Sequence, residues 1–380
     1  MYFQLLLSLV SASFILTPKE NHLNANTVNF ESFSNEHKLD KIATFDEFSV
    51  YKTSTDNFEL YKNTITELFD VEKDLTITLP KPIESTPQVI FTQMPGETEF
   101  SIGVVVPWHL EKIARNNTFC HTNPNITIHT YVVDTGIDVN HPEFEGRATW
   151  LANFADDTDT DCNNHGTHCS GLVGSKTYGV CKDAQLFAIK VLNCKGSGSY
   201  SGILAGLDYV YNRHLQQSES DSGIRSIVSM SLGGGFSKAI NRAVEHLIKS
   251  DTMYVTVASG NEDSDACRTS PASAKGIFTV NAMDRYDNRA YFSNYGKCTD
   301  IYAPGVDIIS TIPNGKTAVY SGTSMAGPVL GGVLNHYIDM YPDMNMKEIK
   351  HKIMSDATKN VIRGNPKNTN NLLVNLVRKS

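Results

Sequence analysis

The stretch Ser321–Pro328 carries the residues best suited to chemistry. It reads Ser-Gly-Thr-Ser-Met-Ala-Gly-Pro and leads directly into the apolar run 329–338. We expect Ser324 to lie at the start of a buried helix, where free backbone N–H groups and the helix dipole favour developing negative charge. A serine hydroxyl becomes an effective nucleophile when a base removes its proton. The alternative, that Thr323 and Ser324 only cap a core helix, stays open at this point.

Polar residues that could activate such a hydroxyl follow apolar stretches typical of buried strands. Asp134, Ser231 and Asn261 each lie at or just after the end of such a stretch. Ligands of an open α/β sheet bind beyond the carboxyl ends of its strands, so we expect all three at one edge. A buried carboxylate needs a partner, and His165 is the candidate partner of Asp134. The alternative is a solvent-facing histidine that follows a polar loop.

The composition is that of a globular chain with no sign of nucleic-acid binding. The 380 residues are 40% hydrophobic and carry a formal net charge of -8. This length accommodates one large α/β domain with a smaller unit beside it. No basic cluster stands out, so we expect no nucleic-acid partner.

Residues 1–13 form a short apolar run that ends in small residues. The run is too short to span a bilayer, and it resembles a secretory signal peptide cut after Ala12 or Ser13. A buried strand or helix is the alternative, because no lysine or arginine precedes the run. No later segment is long and apolar enough to anchor the chain. Two Asn-x-Thr triplets, at Asn116 and Asn125, are candidate glycosylation sites on a secreted route.

Composition divides the rest of the chain into two parts. Residues 17–94 are charged and poor in glycine, and they predict a small α+β unit that ends at an exposed linker over 95–103. After the linker, apolar strands alternate with helices, which predicts the α/β class with a parallel sheet and helices on both faces. The first part has predicted strands at 41–52, 74–79 and 87–93 and a helix at 55–70. The second has strands at 126–133, 185–192, 226–232, 253–258, 276–280 and 300–303, with helices at 166–173, 200–217, 238–251, from Ser324 and at 346–358.

Four blocks of sequence together resemble the signature motifs of the subtilisin family of serine proteases. They are 133–137 (Val-Asp-Thr-Gly-Ile), 164–169 (Asn-His-Gly-Thr-His-Cys), 259–261 (Ser-Gly-Asn) and 322–326 (Gly-Thr-Ser-Met-Ala). The order Asp, His, Ser is also that of subtilisin. Blocks at 141–147, 231–235 and 292–296 are similar to the proteinase K branch. The resemblance implies a subtilisin-like parallel sheet flanked by helices in a peptidase domain over residues 101–380.

The resemblance implies a serine endopeptidase that cleaves peptide bonds through an acyl-enzyme. It assigns Ser324 as nucleophile, His165 as general base and acid, and Asp134 as the residue that orients the imidazole. The Asn261 side chain and the Ser324 N–H are implied to bind the oxyanion. His168 is expected to be structural. The residues implied to contact an extended substrate, by strand addition or in the primary specificity pocket, are Gly196, Ser197, Gly198, Ser231, Leu232, Gly233, Ala258, Ser259 and Gly260.

The sequence departs from the family pattern directly after the nucleophile. The family has Thr-Pro-His-Val-Ala after Ser-Met-Ala, whereas this chain has Gly-Pro-Val-Leu-Gly at 327–331. A threonine hydroxyl and a histidine are thereby absent, and Gly327 weakens the first turn of the helix. A catalytically impaired relative that binds proteins is therefore the rival hypothesis. A lipase-like α/β-hydrolase is disfavoured, because no Gly-x-Ser-x-Gly motif occurs and Asp precedes His and Ser.

The resemblance also gives the N-terminal unit a function. The unit resembles the inhibitory propeptide of these proteases, which we place at residues 14–100. Residues 107–110 (Pro-Trp-His-Leu) resemble a mature N-terminal segment, so self-cleavage is expected within 95–105. An independent binding module joined to a protease is the alternative. The chain is thus expected to be a self-processing precursor that its own propeptide inhibits, with protein or peptide substrates of broad or apolar preference.

Seven cysteines behind a signal-like segment suggest disulfide bonds with one thiol left over. By resemblance, Cys169 is the free cysteine beside the catalytic histidine. The implied pairs are Cys162–Cys194 and Cys267–Cys298, which leaves Cys120 and Cys181 to pair with each other. A zinc site is the competing interpretation, although its second half lacks the usual ligand spacing. Its ligands would be Cys162, His165, His168 and Cys169.

A structural calcium ion is a further implication of the resemblance. Its ligands would be the Asp300 carboxylate and the carbonyl oxygens of Lys275 and Ile277, all hard oxygen donors. The family has proline and valine at the two carbonyl positions, and an ordinary surface role for Asp300 is the alternative. We expect a monomer that is secreted to the medium, the cell surface or the cell wall and has no membrane anchor.

Overall fold

The N-terminal part of the chain forms a small antiparallel sheet with helices against it. A computed structural model describes residues 13–23, 28–80, 83–85, 106–114, 120 and 126–377. The strands of this sheet are β1 (Ser13–Pro18), β2 (Asp40–Phe45), β3 (Phe48–Ser54) and β4 (Phe69–Lys73), in the order β2-β3-β1-β4. The helices are α1 (Glu20–Leu23), α2 (Phe30–Glu36) and α3 (Thr55–Leu68). Ser54 caps α3, whose Phe58 and Ile65 are buried as their helical spacing predicts.

The strand predicted at 41–52 is wrong as a single element. The structure divides it into β2 and β3, which pair antiparallel as a hairpin with Phe45 opposite Phe48. Asp46 and Glu47 form the turn, and without a glycine they gave no turn signal. The predicted strand 87–93, the expected cleavage range 95–105, the signal-like residues 1–12 and the triplets at Asn116 and Asn125 lie outside the described residues, at least in part.

The larger part of the chain is built on one mostly parallel sheet. Its strands are β7 (Thr127–Asp134), β8 (Ala148–Asn153), β9 (Gln185–Lys190), β11 (Ile224–Met230), β13 (Met253–Ala258), β15 (Phe278–Met283), β16 (Ile301–Pro304), β19 (Thr358–Lys359) and β20 (Leu372–Leu373). Across the described residues their order is β19-β20-β16-β15-β13-β11-β7-β9-β8. Every neighbouring pair runs parallel except β19 and β20. The carboxyl ends of the parallel strands therefore meet at one edge.

Helices cover both faces of this sheet, as the sequence predicts. They are α4 (Trp108–Ile113), α5 (His165–Gly174), α6 (Tyr200–Ser220), α7 (Lys238–Leu247), α8 (Thr323–Met340) and α9 (Met346–Asp356). Adjacent residues of β7 point to opposite faces. Val132 belongs to the same hydrophobic cluster as Leu172 of α5 and Leu330 of α8. Val133 belongs to a second cluster with Leu207 of α6, so the strand is buried on both sides.

Short strands connect the two parts of the chain. β5 (Thr76–Thr78) pairs with β10 (Ser197–Ser199), and β6 (Ile83–Ser85) joins β17 (Ile308–Ile312) and β18 (Lys316–Ser321) in a three-stranded sheet. β12 (Gly234–Gly235) pairs with β14 (Thr269–Ser270). The N-terminal part is thus linked to the larger part by backbone pairing at two places.

Three disulfide bonds match the predicted pairs. They join Cys120 to Cys181, Cys162 to Cys194 and Cys267 to Cys298, while Cys169 is a buried free thiol. Because Cys162 is in a disulfide, it offers no thiolate to a metal, and the zinc interpretation is wrong. No helix within the described ranges is long and apolar enough to cross a bilayer.

Two glycines of α8 predict opposite effects of one added methyl group. A Cβ at Gly332 would lie 2.5 Å from Val180 Cβ, whereas the nearest atom to a Cβ at Gly327 is Ala258 N at 3.6 Å. We expect Gly332→Ala to lower the free energy of unfolding by about 1–3 kcal/mol, because it overpacks the core. Gly327→Ala should raise it by up to about 1 kcal/mol, because alanine is the better helix former. Urea unfolding measures both changes, and equal stabilities of the two variants would contradict this packing.

Candidate active site

A buried hydrogen bond joins the end of β7 to the start of α5. His165 Nδ1 lies 2.7 Å from Asp134 Oδ1, and the same oxygen accepts a 2.7 Å hydrogen bond from the Thr135 N–H. Both the histidine and the aspartate are buried. A carboxylate can only accept hydrogen bonds, so Nδ1 carries the proton, and in the neutral ring Nε2 keeps its lone pair. This arrangement leaves Nε2 free to act as a base.

The surroundings make His165 a stronger base than an ordinary histidine. Burial lowers its pKa, but charge interactions led by the Asp134 carboxylate raise it by more, so the pKa lies well above the usual value. Cys169 lies one turn along α5, with its Sγ 3.8 Å from His165 Nδ1. Burial raises the pKa of this thiol, which favours its neutral form. The cysteine is therefore a packing neighbour of the imidazole.

Ser324 lies in the first turn of α8, where a proline shapes the hydrogen bonding. Pro328 has no N–H, so the Ser324 carbonyl lacks its usual partner four residues along the helix. Ser231 Oγ donates to that carbonyl at 3.0 Å, and Cys169 Sγ donates at 3.3 Å. Ser324 Oγ in turn donates to the Ser231 carbonyl at 3.2 Å. Because Pro328 leaves the Ser324 carbonyl without a helical partner, that carbonyl accepts hydrogen bonds that connect Ser324 to the segment after β11 and to α5.

The Asn261 side chain is held in one orientation by the residue before Ser324. Its Oδ1 accepts hydrogen bonds from the Thr323 N–H at 2.9 Å and from Thr323 Oγ1 at 2.8 Å. Thr323 Oγ1 itself accepts from the Gly260 N–H at 3.2 Å. Because Thr323 fixes the amide oxygen, the NH₂ group remains available as a donor to the two cavities that Asn261 and Ser324 both line.

Two cavities meet at Ser324. Their volumes are about 200 Å³ and about 340 Å³, and Ser324, Asn261 and Pro80 line both. His165 lines the smaller cavity. The larger one brings together all the residues predicted for the primary specificity pocket, which are Ser231, Leu232, Gly233, Ala258, Ser259 and Gly260. Residues that are far apart in sequence therefore surround one hydroxyl.

Segments of the N-terminal part lie on both sides of Ser324 as extended strands. β5 pairs antiparallel with β10, with Ile77 opposite Gly198, and the Leu79 N–H donates to the Gly196 carbonyl at 2.8 Å. The sequence analysis predicted strand addition by an extended substrate at residues 196–198, and here a strand of the chain's own N-terminal part pairs with this edge. On the other side β6 pairs antiparallel with β18, with Ile83 opposite Ser321. The sequence analysis did not predict this second pairing.

The glycine at position 198 is required by the protein's own backbone. A Cβ there would lie 2.1 Å from the Val191 carbonyl oxygen, so a side chain is excluded before any partner strand is considered. The sequence analysis also missed two residues of the site. Thr323 orients Asn261, and Tyr200 donates to the Gly235 carbonyl at 2.7 Å beside the larger cavity. Their positions, next to the Ser324 motif and directly after the strand Ser197–Ser199, were the available signals.

His168 is structural, as predicted. Its Nε2 lies 3.2 Å from the Ala318 carbonyl oxygen, and its ring stacks on Tyr320 with centroids 4.5 Å apart. Burial lowers the pKa of His168 to about 3, so the ring is neutral. It connects α5 to β18 and touches neither of the two cavities.

The residues predicted to bind calcium do not fit a metal ion. Lys350 Nζ lies 2.7 Å from Asp300 Oδ1, and it also donates to the Ile277 carbonyl. An ammonium group therefore lies between two of the three predicted ligands. The third residue, Lys275, is exposed, and its N–H donates to Glu245 Oε1 at 2.7 Å. The expected ligand set of Lys275, Ile277 and Asp300 does not fit a metal ion, because the Lys350 ammonium already contacts two of its three members.

Comparisons with known proteins identify the family to which the larger part of the chain is similar. The Subtilase family model matches residues 128–374. A subtilisin-like serine protease of Rhodotorula mucilaginosa is 37% identical over 326 residues, which are 79% of this chain and 95% of that protein. A cuticle-degrading protease of Metarhizium anisopliae is 46% identical over 248 residues, which are 64% of this chain and 62% of the relative.

A solved structure gives the same result for the fold. The crystal structure of a cold-adapted subtilisin-like serine proteinase is 35% identical, with a TM-score of 0.64. The match covers 72% of this chain and 98% of that one. Because the family model spans the parallel sheet, and because the identity to the Rhodotorula protease extends along nearly all of that protein, this chain belongs to the subtilase family of serine endopeptidases.

Proposed function

We propose that the chain is a secreted endopeptidase whose catalytic triad is Ser324, His165 and Asp134. The observation that carries this proposal is the meeting of the Asp134–His165 pair with Ser324 and Asn261 at the junction of two cavities. Ser324 Oγ attacks the peptide carbonyl while His165 Nε2 takes its proton and then gives it to the leaving amine. Water then hydrolyses the acyl-enzyme through the same residues. Asp134 holds the imidazole in the required tautomer and stabilises its cation.

The negative charge of the tetrahedral intermediate is stabilised by the Asn261 NH₂ group and the Ser324 N–H. Thr323 fixes the Asn261 amide before substrate arrives, so little reorganisation is needed during the reaction. The Ser324 N–H belongs to the first turn of α8, where backbone donors have no carbonyl partner within the helix. The positive end of the α8 dipole lies at the same place.

Substrates bind as extended strands, with the backbone paired to β10 and side chains in the larger cavity. Ile77 shows the chemistry that one position accepts, because it is only 3% exposed and packs in one cluster with Tyr200 and Leu232. An apolar side chain at that position is therefore favoured by burial. The segments 231–233 and 258–260 line the remaining part of the cavity.

Residues 14–100 act as an inhibitory propeptide. Asp74 Oδ1 accepts from the Ser201 N–H at 3.0 Å in the first turn of α6, and Glu72 Oε1 accepts from the Ala239 N–H at 2.8 Å in the first turn of α7. Carboxylates at helix N-termini are favoured by the helix dipole. With β5 and β6 paired on either side of Ser324, this unit covers the cleft. That coverage favours an inhibitor over an independent binding module.

The rival hypothesis, a silent binding protein, rests on the changes after the nucleophile. Gly327 and Val329 line neither cavity. Val329 is buried in the core. Gly327 faces the end of β13, where an added Cβ would make only ordinary van der Waals contacts. The departures from the family pattern thus lie behind the nucleophile, and we favour an active protease.

We place the enzyme outside the cell as a monomer, in the medium or at the cell surface or wall. Three disulfide bonds among the described residues suit an oxidising compartment. The signal-like residues 1–13 and the glycosylation triplets at Asn116 and Asn125 point to the same route.

Loss of the Ser324 hydroxyl should leave the chain as an uncut precursor. We expect the wild type to split with time and Ser324→Ala to keep its full mass, because no nucleophile remains. An intact-mass time course of the two purified precursors, with a serine-directed phosphonate probe, checks this.

A cut between Pro80 and Ile83 would agree with the strands in the cleft, and a cut within Pro95–Val105 would agree with the expectation from sequence. If Ser324→Ala splits in isolation, Ser324 is not the nucleophile, and if neither chain splits or binds the probe, the binding-protein hypothesis is supported.

Removal of the oxyanion donor or of its support should lower turnover by different amounts. Asn261→Ala should reduce kcat by about 10²–10³, the magnitude established for an oxyanion-hole asparagine in this family, with little change in KM. Thr323→Val should reduce kcat by about 5–10-fold, because one hydrogen bond that orients Asn261 is lost. Thr323→Ser retains the hydroxyl and is the matched control. Steady-state kinetics on a peptide amide measure these effects, and a further loss from Thr323→Val in the Asn261→Ala background would contradict a role through Asn261.

Activity should rise with pH through a pKa above the ordinary histidine value of about 6.5. Below its pKa the His165 imidazole holds a second proton and cannot accept one from Ser324, and the Asp134 carboxylate raises that pKa against the effect of burial. The pH profile of kcat/KM for the processed enzyme checks this. Asp134→Asn should move the profile to lower pH and reduce the rate by about 10⁴, and an unmoved profile would show that Asp134 does not set the pKa.

A further inference from the structure

We propose that the ammonium group of Lys350 takes the place of a structural cation between Asp300 and Ile277, so that this part of the sheet is stabilised without calcium. The two groups it joins come from different elements. Ile277 directly precedes β15, and Asp300 directly precedes β16. Lys350 Nζ contacts the Asp300 carboxylate at 2.7 Å and the Ile277 carbonyl oxygen. One positive charge thus connects two neighbouring strands through the oxygen atoms that a metal ion would use.

The position of Lys350 is fixed by the helix that carries it. α9 begins with a capping box in which Asn345 and Glu348 satisfy each other's backbone N–H groups. Ile349 and Ile353 anchor the helix in the core, where they are 0% and 1% exposed. Lys350 follows Ile349 directly, and its Nζ lies 5.4 Å from the centre of the Phe278 ring. The ammonium is therefore held in place by α9 and also gains from the aromatic face.

The remaining hydrogen-bonding capacity of the site is also used. Asp300 Oδ2 accepts from the Thr279 N–H at 2.9 Å, while Oδ1 contacts Lys350. Burial raises the pKa of Asp300, and Lys350 opposes that rise by favouring the carboxylate. A calcium ion requires six to eight oxygen ligands, and here it would meet a positive charge on two of the three oxygens. Calcium could enter only if the lysine left.

The ion pair matters for stability because it is only partly accessible to water. The Lys350 and Asp300 side chains are 18% and 17% exposed. Removal of one partner from such a pair leaves the other charge without compensation, which is strongly destabilising. Lys347, one turn earlier in α9, is exposed. It therefore provides a matched control for the loss of a lysine from this helix.

The test measures the midpoint of thermal unfolding in calcium and in chelator. The parent is the full chain with Ser324→Ala, which keeps proteolysis out of the measurement. We expect the parent and the Lys347→Met control to have the same midpoint in both buffers. Lys350→Met should lower the midpoint in chelator by about 5–15 °C. Calcium should recover part of that loss, because the freed oxygens then accept the ion, and Asp300→Asn added to Lys350→Met should abolish the recovery.

Three results would overturn the proposal. The first is a parent whose midpoint rises with calcium and loses that rise on Asp300→Asn, since calcium would then bind beside Lys350. The second is a Lys350→Met variant as stable as the Lys347→Met control. The third is a loss in Lys350→Met that calcium does not reduce, which would make the lysine an ordinary ion-pair partner. If Lys350→Met does not fold, the comparison of the parent with Asp300→Asn decides alone, and equal calcium responses of those two chains support the proposal.

Discussion

The hydrogen bond between Asp134 and His165 is the interaction on which the site depends. Asp134 is 0% exposed, and its Oδ2 has no hydrogen-bond partner within the described ranges. A buried carboxylate with an unpaired oxygen reduces stability, so its retention calls for a functional reason. Its charge keeps the imidazole basic, and the bond fixes the tautomer. β7 lies between β9 and β11 in the sheet, and every residue of this strand after Thr127 is buried, so the carboxylate is held at the end of a buried strand.

Helix N-termini supply much of the electrostatics at this edge. Helices α5, α6, α7 and α8 follow β8, β10, β12 and β18 in the chain. The start of α5 carries His165 and that of α8 carries Ser324. The starts of α6 and α7 bind Asp74 and Glu72, two carboxylates of the N-terminal unit. These helix starts therefore favour both the negative charge of the proposed reaction and the attachment of the N-terminal unit.

Features that short motifs encode could be predicted from the sequence. Features that depend on contacts between residues far apart in the chain could not. Asp134, His165 and Ser324 each lie in a contiguous block, and the strand and helix patterns around them are regular, so both site and fold class could be predicted. Lys350 lies fifty residues after Asp300, and no local pattern indicates that its ammonium returns to that carboxylate. The hairpin at 46–47 was missed because its turn has no glycine, although the buried positions shift from 43 and 45 before the turn to 48 and 50 after it. The pairing of β6 with β18 joins residues more than two hundred positions apart, which no periodicity can show.

The paired strands on both sides of Ser324 also determine which proteins this enzyme can attack. β5 and β6 of the N-terminal unit, the proposed inhibitor, use backbone groups on two separate edges, β10 and β18. A target must offer the same groups, and in a native helix or sheet those groups are already bonded to each other. Cleavage of a native protein therefore waits for a stretch of similar length to open, and each 1.4 kcal/mol or so of local stability in the target should slow digestion about tenfold. Local unfolding of the target is therefore required before the cavities can select among its side chains.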